Sequence, residues 1–146
     1  MGDRKNFSDR LYSDNNQRAI NAVTLLLTNR GWKVTSVEDY HADLIATMGN
    51  ITMYHEVEIK NVWRGKFQWS TIQIPERKVR LLDHYNDDII FWVISQDVSA
   101  AWAIDGLIVR HSPLVEVPNR YVSSGEKFFQ VPTDKALLVN LEGGAI

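Results

Sequence analysis

Three ionisable side chains alternate along one short segment of the chain, Glu56-Val57-Glu58-Ile59-Lys60. In an extended strand, side chains two positions apart share a face and lie about 6.5–7 Å from each other. Glu56, Glu58 and Lys60 would then form a row, with Val57 and Ile59 on the opposite face. Carboxylates are preferred ligands of Mg²⁺, and a nearby lysine can position or deprotonate a water or offset charge in a transition state. The spacing therefore suits a hard divalent cation with a lysine beside it, although an exposed strand with one solvated face shows the same alternation.

Another carboxylate precedes this row on a neighbouring segment. The run Asp43–Met48 predicts one strand, a Gly-Asn pair offers a turn, and Ile51–Val62 predicts the next strand. Pairing the two strands around a two-residue turn places Asp43 opposite Glu56 and diagonal to Glu58. The sequence therefore predicts that carboxylates from two adjacent strands come together.

The elements before this hairpin are a helix and a strand. Apolar residues recur at helical spacing over Asn15–Arg30, with Asp14 as a plausible N-cap and Gly31 where a C′ glycine belongs. Residues 1–12 are polar and predict a loose arm, and Trp32–Val37 predicts the first strand.

The elements after the hairpin are a second helix and further strands. Pro75 suits the first turn of a helix that runs to about Tyr85 and is ended by Asn86-Asp87-Asp88. Ile89–Ile94 is apolar on both faces, as in a central covered strand. Further strands are predicted at Ala101–Ile104 and Lys127–Val131. This order predicts an α/β fold with a central mixed β-sheet flanked by helices.

The bulk properties describe an ordinary globular chain. Its 146 residues suit a single domain, with a core at about 14–104 and a C-terminal extension over 105–146. It has no cysteine, which excludes a disulfide scaffold, a cysteine nucleophile and thiolate zinc sites. We find no apolar signal core and no run long enough for a membrane helix, so we expect a cytoplasmic protein that does not enter a membrane. The net charge of −2 argues against nonspecific coating of nucleic acid, although basic residues are concentrated between Lys60 and Leu82.

The spacing of Asp43 and the Glu58-Ile59-Lys60 segment, on adjacent strands after an N-terminal helix, resembles the PD-(D/E)XK nuclease superfamily. The resemblance covers roughly residues 14–104 and implies a restriction-endonuclease-like fold. It also implies that Asp43, Glu58 and the carbonyl of Ile59 bind Mg²⁺ or Mn²⁺. Lys60 would serve the attacking water or the transition state.

Within this superfamily, the chain looks most like archaeal-type Holliday-junction resolvases and related phage endonucleases. Ala42 stands where the motif has proline. Resolvases carry an acidic residue on the first helix, and here that helix has Asn16, Gln17 and Asn21. Glu56 or Asp14 could take the place of that acid, which adds Glu56 to the expected metal ligands.

The expected function is a Mg²⁺-dependent endonuclease that hydrolyses DNA, acts on branched or junction DNA, and assembles as a homodimer. Gln73, just before the second helix, is expected beside the metal site, as in many nucleases of this type. The residues expected to contact phosphates are Arg64, Lys66, Arg77, Lys78 and Arg80. The alternative is a non-catalytic nucleic-acid-binding subunit that keeps the nuclease fold, and a third possibility is an interaction protein whose acidic strand is a solvated edge.

Aromatic residues and histidines leave further alternatives. Trp63, Phe67 and Trp69 alternate with basic residues, so they either stack on splayed bases or pack in a β-hairpin. Trp92 and Trp102 lie in apolar strands and are expected in the core. The sequence has no HExxH and no paired histidines at helical spacing, so we assign His41, His55, His84 and His111 no zinc-binding role.

Overall fold

Helices and strands alternate along the residues that this computed structural model describes, which are 7–36, 41–119 and 122–141. Side chains are described for 16–35, 41–117 and 125–141. In chain order the elements are α1 (Phe7–Asn29), β1 (Lys33–Ser36), β2 (Leu44–Met48), β3 (Ile51–Ile59), β4 (Thr71–Pro75), α2 (Val79–His84), β5 (Ile89–Ile94), β6 (Ala100–Asp105), α3 (Gly106–Arg110), β7 (Leu114–Asn119), β8 (Val122–Pro132) and β9 (Leu137–Asn140). Short 3-10 turns at Glu76–Lys78 and Thr133–Lys135 precede α2 and β9.

The larger sheet has six strands in the order β1-β2-β3-β5-β6-β9. β3 and β5 are parallel, whereas the other neighbouring pairs in this sheet are antiparallel. A parallel pair needs a crossover, and the chain between β3 and β5 supplies β4 and α2. The carboxyl ends of β3 and β5 therefore lie at the same edge of the sheet. The predicted α/β class, with a central mixed sheet and flanking helices, is confirmed.

Helix α1 covers one face of the six-stranded sheet. Ala19, Val23 and Leu27 recur at helical spacing and are at most 5% exposed. They belong to a buried cluster with Val57 of β3 and Trp92 of β5. This packing fixes which face of β3 is apolar and leaves the alternate residues of that strand on the other face.

The predicted start of this helix was wrong. Asp14 is not an N-cap, because α1 begins at Phe7 and includes half of the segment that was expected to be a loose arm. The polar residues around Asp14 have modest helix propensity, but each one lowers the stability of a helix by less than about 0.7 kcal/mol relative to alanine. A few of them do not end a helix that has an apolar face to bury. Residues 1–6 of the expected arm lie outside the described residues.

A second, three-stranded sheet lies over the other face, in the order β4-β8-β7. Ile72 and Ile74 of β4 are buried together with Leu81 and Leu82 of α2 in a second cluster. Phe91 of β5 belongs to the same cluster, so this core joins the small sheet and α2 to the large sheet. The large sheet is thus covered on both faces.

Several elements differ from the sequence expectations. The predicted helix from Pro75 to Tyr85 is a 3-10 turn followed by the short α2. α2 ends at His84, one residue before the predicted Tyr85, and Asn86 and Asp87 of the predicted helix-ending segment both have positive φ angles. The expected strand Lys127–Val131 is part of the longer β8. Strands β4, β7 and β9 and helix α3 were not predicted.

No helix in the described part of the chain has both the length and the apolarity that a bilayer crossing requires.

Candidate active site

The β2–β3 hairpin brings Asp43 to the row of ionisable residues. Leu44 pairs with His55 and Met48 with Ile51, and the backbone N–H of Asp43 donates to the His55 carbonyl at 3.0 Å. This register continues to Asp43 opposite Glu56, so the predicted pairing is confirmed. One carboxylate oxygen of Asp43, Oδ2, accepts a hydrogen bond from the backbone N–H of Val57 at 2.8 Å. The Asp43 carboxylate is therefore held against the strand that carries the row.

The row itself spans the end of β3. Val57 is buried on the α1 side, and Glu56 and Glu58 point to the face covered by the second sheet and α2. β3 ends at Ile59, earlier than the predicted Val62. Lys60 follows the last residue of the strand and still donates its backbone N–H to the Ile94 carbonyl of β5 at 2.8 Å. Lys60 is therefore positioned by the large sheet even though it lies beyond β3.

The early end of β3 has a local cause. The backbone N–H of Trp63 donates to the Lys60 carbonyl at 3.0 Å, which closes a turn. Trp63 is 1% exposed, so its ring is drawn into the core instead of continuing the strand. Burial of a large aromatic side chain favours this turn over further pairing with β5.

Glu56 lies inside the protein, next to two charged groups. Its side chain is 8% exposed, and its Oε2 atom accepts from the Nζ of Lys78, whose side chain is 13% exposed. Burial raises the pKa of Glu56 to about 7; the Lys78 ammonium opposes this rise and the Asp43 carboxylate adds to it. The other oxygen, Oε1, is buried without a hydrogen-bond partner in the ionised form. When protonated, the Glu56 carboxyl can donate a hydrogen bond to the Asp43 carboxylate. A cation beside Oε1 would be another partner for this oxygen.

Glu58 and Lys60 line a cavity of about 160 Å³ together with Gln73. Its other lining residues are Ile59, Pro75, Val93 and Phe128. Gln73 lies on β4 between the buried Ile72 and Ile74, so its side chain points the opposite way, toward this cavity. The sequence placed Gln73 before the second helix without recognising β4. Strand pairing of β4 with β8 is what brings Gln73 and Phe128 to the cavity wall.

A larger cavity of about 370 Å³ adjoins the first and shares Pro75 with it. Its charged lining residues have mixed signs: Glu76, Glu116 and Glu126 against Arg77 and Lys127. Glu58, Lys60 and Gln73, which line the smaller cavity, do not line this one, and Asp43 lines neither. We therefore assign the candidate site to the smaller cavity.

Lys60 has an unusual environment for a lysine. Burial lowers its pKa, and the Glu58 carboxylate offsets part of this effect. Its Nζ lies 5.0 Å from the centroid of the Trp69 ring, within the range of a cation–π contact. A lowered pKa increases the fraction of Lys60 in the neutral amine form at a given pH. Lys60 can therefore hold or release a proton at the cavity.

The three aromatic residues of the loop after β3 have different roles. Trp63 is buried, and its ring centroid lies 5.0 Å from that of Phe67 and 6.4 Å from that of Trp102. Phe67 in turn contacts Trp69, with centroids 5.0 Å apart. Trp69 is 41% exposed. Packing therefore accounts for Trp63 and Phe67, whereas Trp69 reaches the surface. Trp92 and Trp102 are 4% and 8% exposed, so their predicted core positions are confirmed.

The basic residues also divide into two groups. Four of them are exposed: Arg64 and Lys66 in the loop between β3 and β4, Arg77 in the 3-10 turn, and Arg80 in α2. Arg77 lies near the site itself, with a guanidinium nitrogen 3.7 Å from Oε1 of Glu58. Lys78 differs, because the 3-10 turn directs its side chain inward to Glu56. Lys78 is thus placed to neutralise a buried carboxylate and is not exposed as the other four basic residues are.

The donors at the site suit a hard divalent cation. Within the described ranges, no three His, Cys, Asp or Glu side chains come together as a group that could hold a metal ion. Mg²⁺ needs no such group, because it usually takes one or two carboxylates together with waters and substrate phosphates. Of the expected metal ligands, Glu58 and Ile59 line the cavity. Asp43 and Glu56 do not line it, although Asp43 is bonded to the backbone of Val57 between Glu56 and Glu58, and Oε1 of Glu56 has no hydrogen-bond partner. The side chain of Asp14, the other candidate for the missing helix acid, lies outside the described side chains.

The histidines have local contacts. The rings of His41 and His84 stack with centroids 3.6 Å apart. His55 is buried and accepts a hydrogen bond at Nδ1 from the Trp92 indole at 2.9 Å. His111 lies 2.9 Å, through Nδ1, from the Leu107 carbonyl. These contacts place the histidines in packing and capping roles.

Comparison with known proteins gives a likeness in structure alone. No protein-family model matches the chain, and no curated protein sequence matches it. Among solved structures, it is similar to Hjc, a Holliday junction resolvase from the archaeal hyperthermophile Archaeoglobus fulgidus, with a TM-score of 0.53. The match covers 84% of this chain and 89% of that chain at 10% sequence identity. The fold of this chain is therefore the restriction-endonuclease-like fold that the sequence resemblance predicted.

Proposed function

We propose that this protein is a metal-dependent endonuclease that cleaves branched or junction DNA. The observation that carries the proposal is the meeting of Glu58, Lys60 and Gln73 at one cavity, with Asp43 held across the hairpin, in a fold similar to that of a resolvase. A cavity with a carboxylate, a partly desolvated lysine and an amide fits hydrolysis of a phosphodiester better than the binding of an apolar ligand.

The side chains of the site would divide the chemistry among them. Asp43 and Glu58, with the Ile59 carbonyl, would hold a Mg²⁺ or Mn²⁺ ion, which when bound supplies charge stabilisation at the phosphoryl group. Lys60 would hold the attacking water or a non-bridging phosphate oxygen, and its lowered pKa would ease proton transfer at Nζ. Gln73 would orient the same water or phosphate through its amide. Lys78 would keep Glu56 neutralised beside Asp43.

Binding of the DNA backbone would fall to the exposed cations near the site. These are Arg64, Lys66, Arg77 and Arg80. Such phosphate contacts release counterions, so affinity should fall steeply as the salt concentration rises. The small fold leaves little surface for base-specific contacts, which supports recognition of DNA shape. A homodimer would present two such sites to two strands, and its mass in solution is measurable by light scattering.

The proposal is tested by cleavage assays with four DNA forms: supercoiled, linear duplex, single-stranded and four-way junction. Each is incubated with Mg²⁺, Mn²⁺ or EDTA. We expect cutting with either metal, none with EDTA, and the highest rate on the junction. Asp43→Asn, Glu58→Gln and Lys60→Ala should each reduce the rate by about 100-fold or more.

Matched controls come from the exposed 3-10 turn before β9. Asp134→Asn and Lys135→Ala remove the same kinds of charge from exposed positions outside the cavity and should cut at the rate of the unchanged protein. Binding of DNA without cutting in either metal would support the alternative, a non-catalytic nucleic-acid-binding subunit. Absence of binding to all four DNA forms would refute both functions.

A further inference from the structure

Trp69 is an aromatic side chain at the surface, directly beside the candidate site. It is 41% exposed, although tryptophan is among the side chains that gain most from burial. Its ring lies over Nζ of Lys60, 5.0 Å from the ammonium to the ring centroid. A tryptophan side chain this exposed, next to a residue of the candidate site, therefore needs an explanation.

The Trp69 ring is supported from behind by a series of packed rings. Phe67 lies edge-on to it, with centroids 5.0 Å apart. Phe67 also contacts Trp63 and Trp102, with centroids 5.0 Å and 5.4 Å away. Trp63 and Trp102 are core residues, 1% and 8% exposed. The exposed ring is thus anchored to the core, and little conformational entropy would be lost when a ligand stacks on it.

The charge around Trp69 selects the kind of ligand. Arg64 and Lys66 are exposed on the same loop, and Lys60 lies under the ring. Aromatic rings set among basic residues bind single-stranded nucleic acid, because the base stacks on the ring while the cations meet the backbone phosphates. A base inside a duplex is already stacked on both faces, so a single exposed ring takes up an unpaired base.

We propose that Trp69 stacks on an unpaired base of the DNA, next to the phosphate that Lys60 meets. This inference rests on the proposed function for the identity of the ligand, and it adds a substrate requirement. The preferred substrate has at least one unpaired nucleotide at the cut site, as at the centre of a branch, a flap or a bulge. Fully paired linear duplex would lack this contact.

Binding is measured in EDTA, so that the test does not depend on catalysis. Fluorescence anisotropy is recorded for a flapped duplex and for a fully paired duplex, with the unchanged protein, Trp69→Phe and Trp69→Ala. We expect Trp69→Ala to weaken binding to the flapped DNA about tenfold, the loss of one base–aromatic stack, and to change duplex binding less than about twofold. Trp69→Phe retains a ring and should stay within about threefold of the unchanged protein on both DNAs.

A series of abasic nucleotides separates stacking from an indirect effect on Lys60. In the unchanged protein, moving one abasic site along the unpaired strand should weaken binding strongly at one position, and Trp69→Ala should abolish that dependence. If Trp69→Ala weakens both DNAs equally, or if the abasic dependence persists in it, the inference is overturned. Stacking without metal-dependent cleavage would refute the proposed endonuclease and leave the base contact in place. Cleavage without any effect of Trp69 would refute the base contact and leave the endonuclease.

Discussion

His55 gives a prediction about stability that follows directly from its surroundings. It lies on β3, on the face opposite the candidate site, and is 4% exposed. Its Nδ1 accepts a hydrogen bond from the Trp92 indole, and its Nε2 has no hydrogen-bond partner among the described residues. A protonated ring would therefore carry a buried charge without an acceptor, and burial lowers the pKa of His55 to about 4.

The sign and size of the effect follow from proton linkage. An unfolded histidine has a pKa near 6.5, so between about pH 6.5 and pH 4 the unfolded chain binds a proton that the folded protein does not bind. The contribution of neutral His55 is therefore complete above about pH 6.5 and is lost as the pH falls toward 4. Lowering the pKa of His55 from 6.5 to about 4 corresponds to about 3 kcal/mol of unfolding free energy.

The assay is urea denaturation followed by tryptophan fluorescence, in EDTA, at several pH values from about 4 to 7.5. Because the raised pKa of Glu56 gives an opposite slope, the unchanged protein is compared with His55→Gln, which keeps Glu56. The stability advantage of the unchanged protein over His55→Gln should shrink by about 3 kcal/mol between pH 7 and pH 4. His111→Gln, at an exposed position, serves as the control. Parallel pH profiles for the unchanged protein and His55→Gln would refute the reasoning.

Three further predictions concern stability at pH 7.5, measured by the same denaturation. Gly106→Ala should lower the unfolding free energy by about 1–3 kcal/mol, because the added Cβ would lie 2.7 Å from the Asp87 carbonyl oxygen; an unchanged midpoint would contradict this clash. Lys78→Met should cost about 1–3 kcal/mol by leaving Glu56 buried without its partner, and adding Glu56→Gln should recover most of that loss. Trp63→Ala should cost about 3–5 kcal/mol, since Trp63 is 1% exposed, whereas Trp69→Ala should cost less than about 1 kcal/mol. If Trp63→Ala and Trp69→Ala lowered the unfolding free energy equally, the assignment of Trp63 to the core and Trp69 to the surface would be contradicted.

The part of the site that was predictable from the sequence depends on local geometry. A two-residue turn and the period of two along a strand are enough to place Asp43 opposite Glu56, and the hairpin has that register. The same rules place Val57 on one face of β3 and Glu56 and Glu58 on the other. No long-range information enters these steps, because all the residues lie within one hairpin.

The part that was missed depends on contacts between distant segments. β4 is five residues long and ends in Pro75, so its pattern alone is too short to distinguish a strand from a loop. Its partner β8 begins at Val122, and nothing in the local sequence specifies that pairing. For this reason Gln73 was expected beside a helix start, and the role of Phe128 in the cavity wall was not foreseen. Lys78 was grouped with the phosphate-binding residues by charge, although the 3-10 turn directs it to Glu56.

This division between local and distant contacts also bears on function. The hairpin places Asp43 opposite Glu56, beside the row that continues to Glu58 and Lys60. A row of charges on an open strand would nevertheless be hydrated and weakly reactive. The second sheet turns that row into a cavity, because β4 and β8 cover it with Gln73 and Phe128. Burial then lowers the pKa of Lys60, and the loop between β3 and β4 carries Trp69 to its rim. A variant that disrupts β4–β8 pairing without touching the hairpin should therefore keep the carboxylates in register and still lose the proposed cleavage.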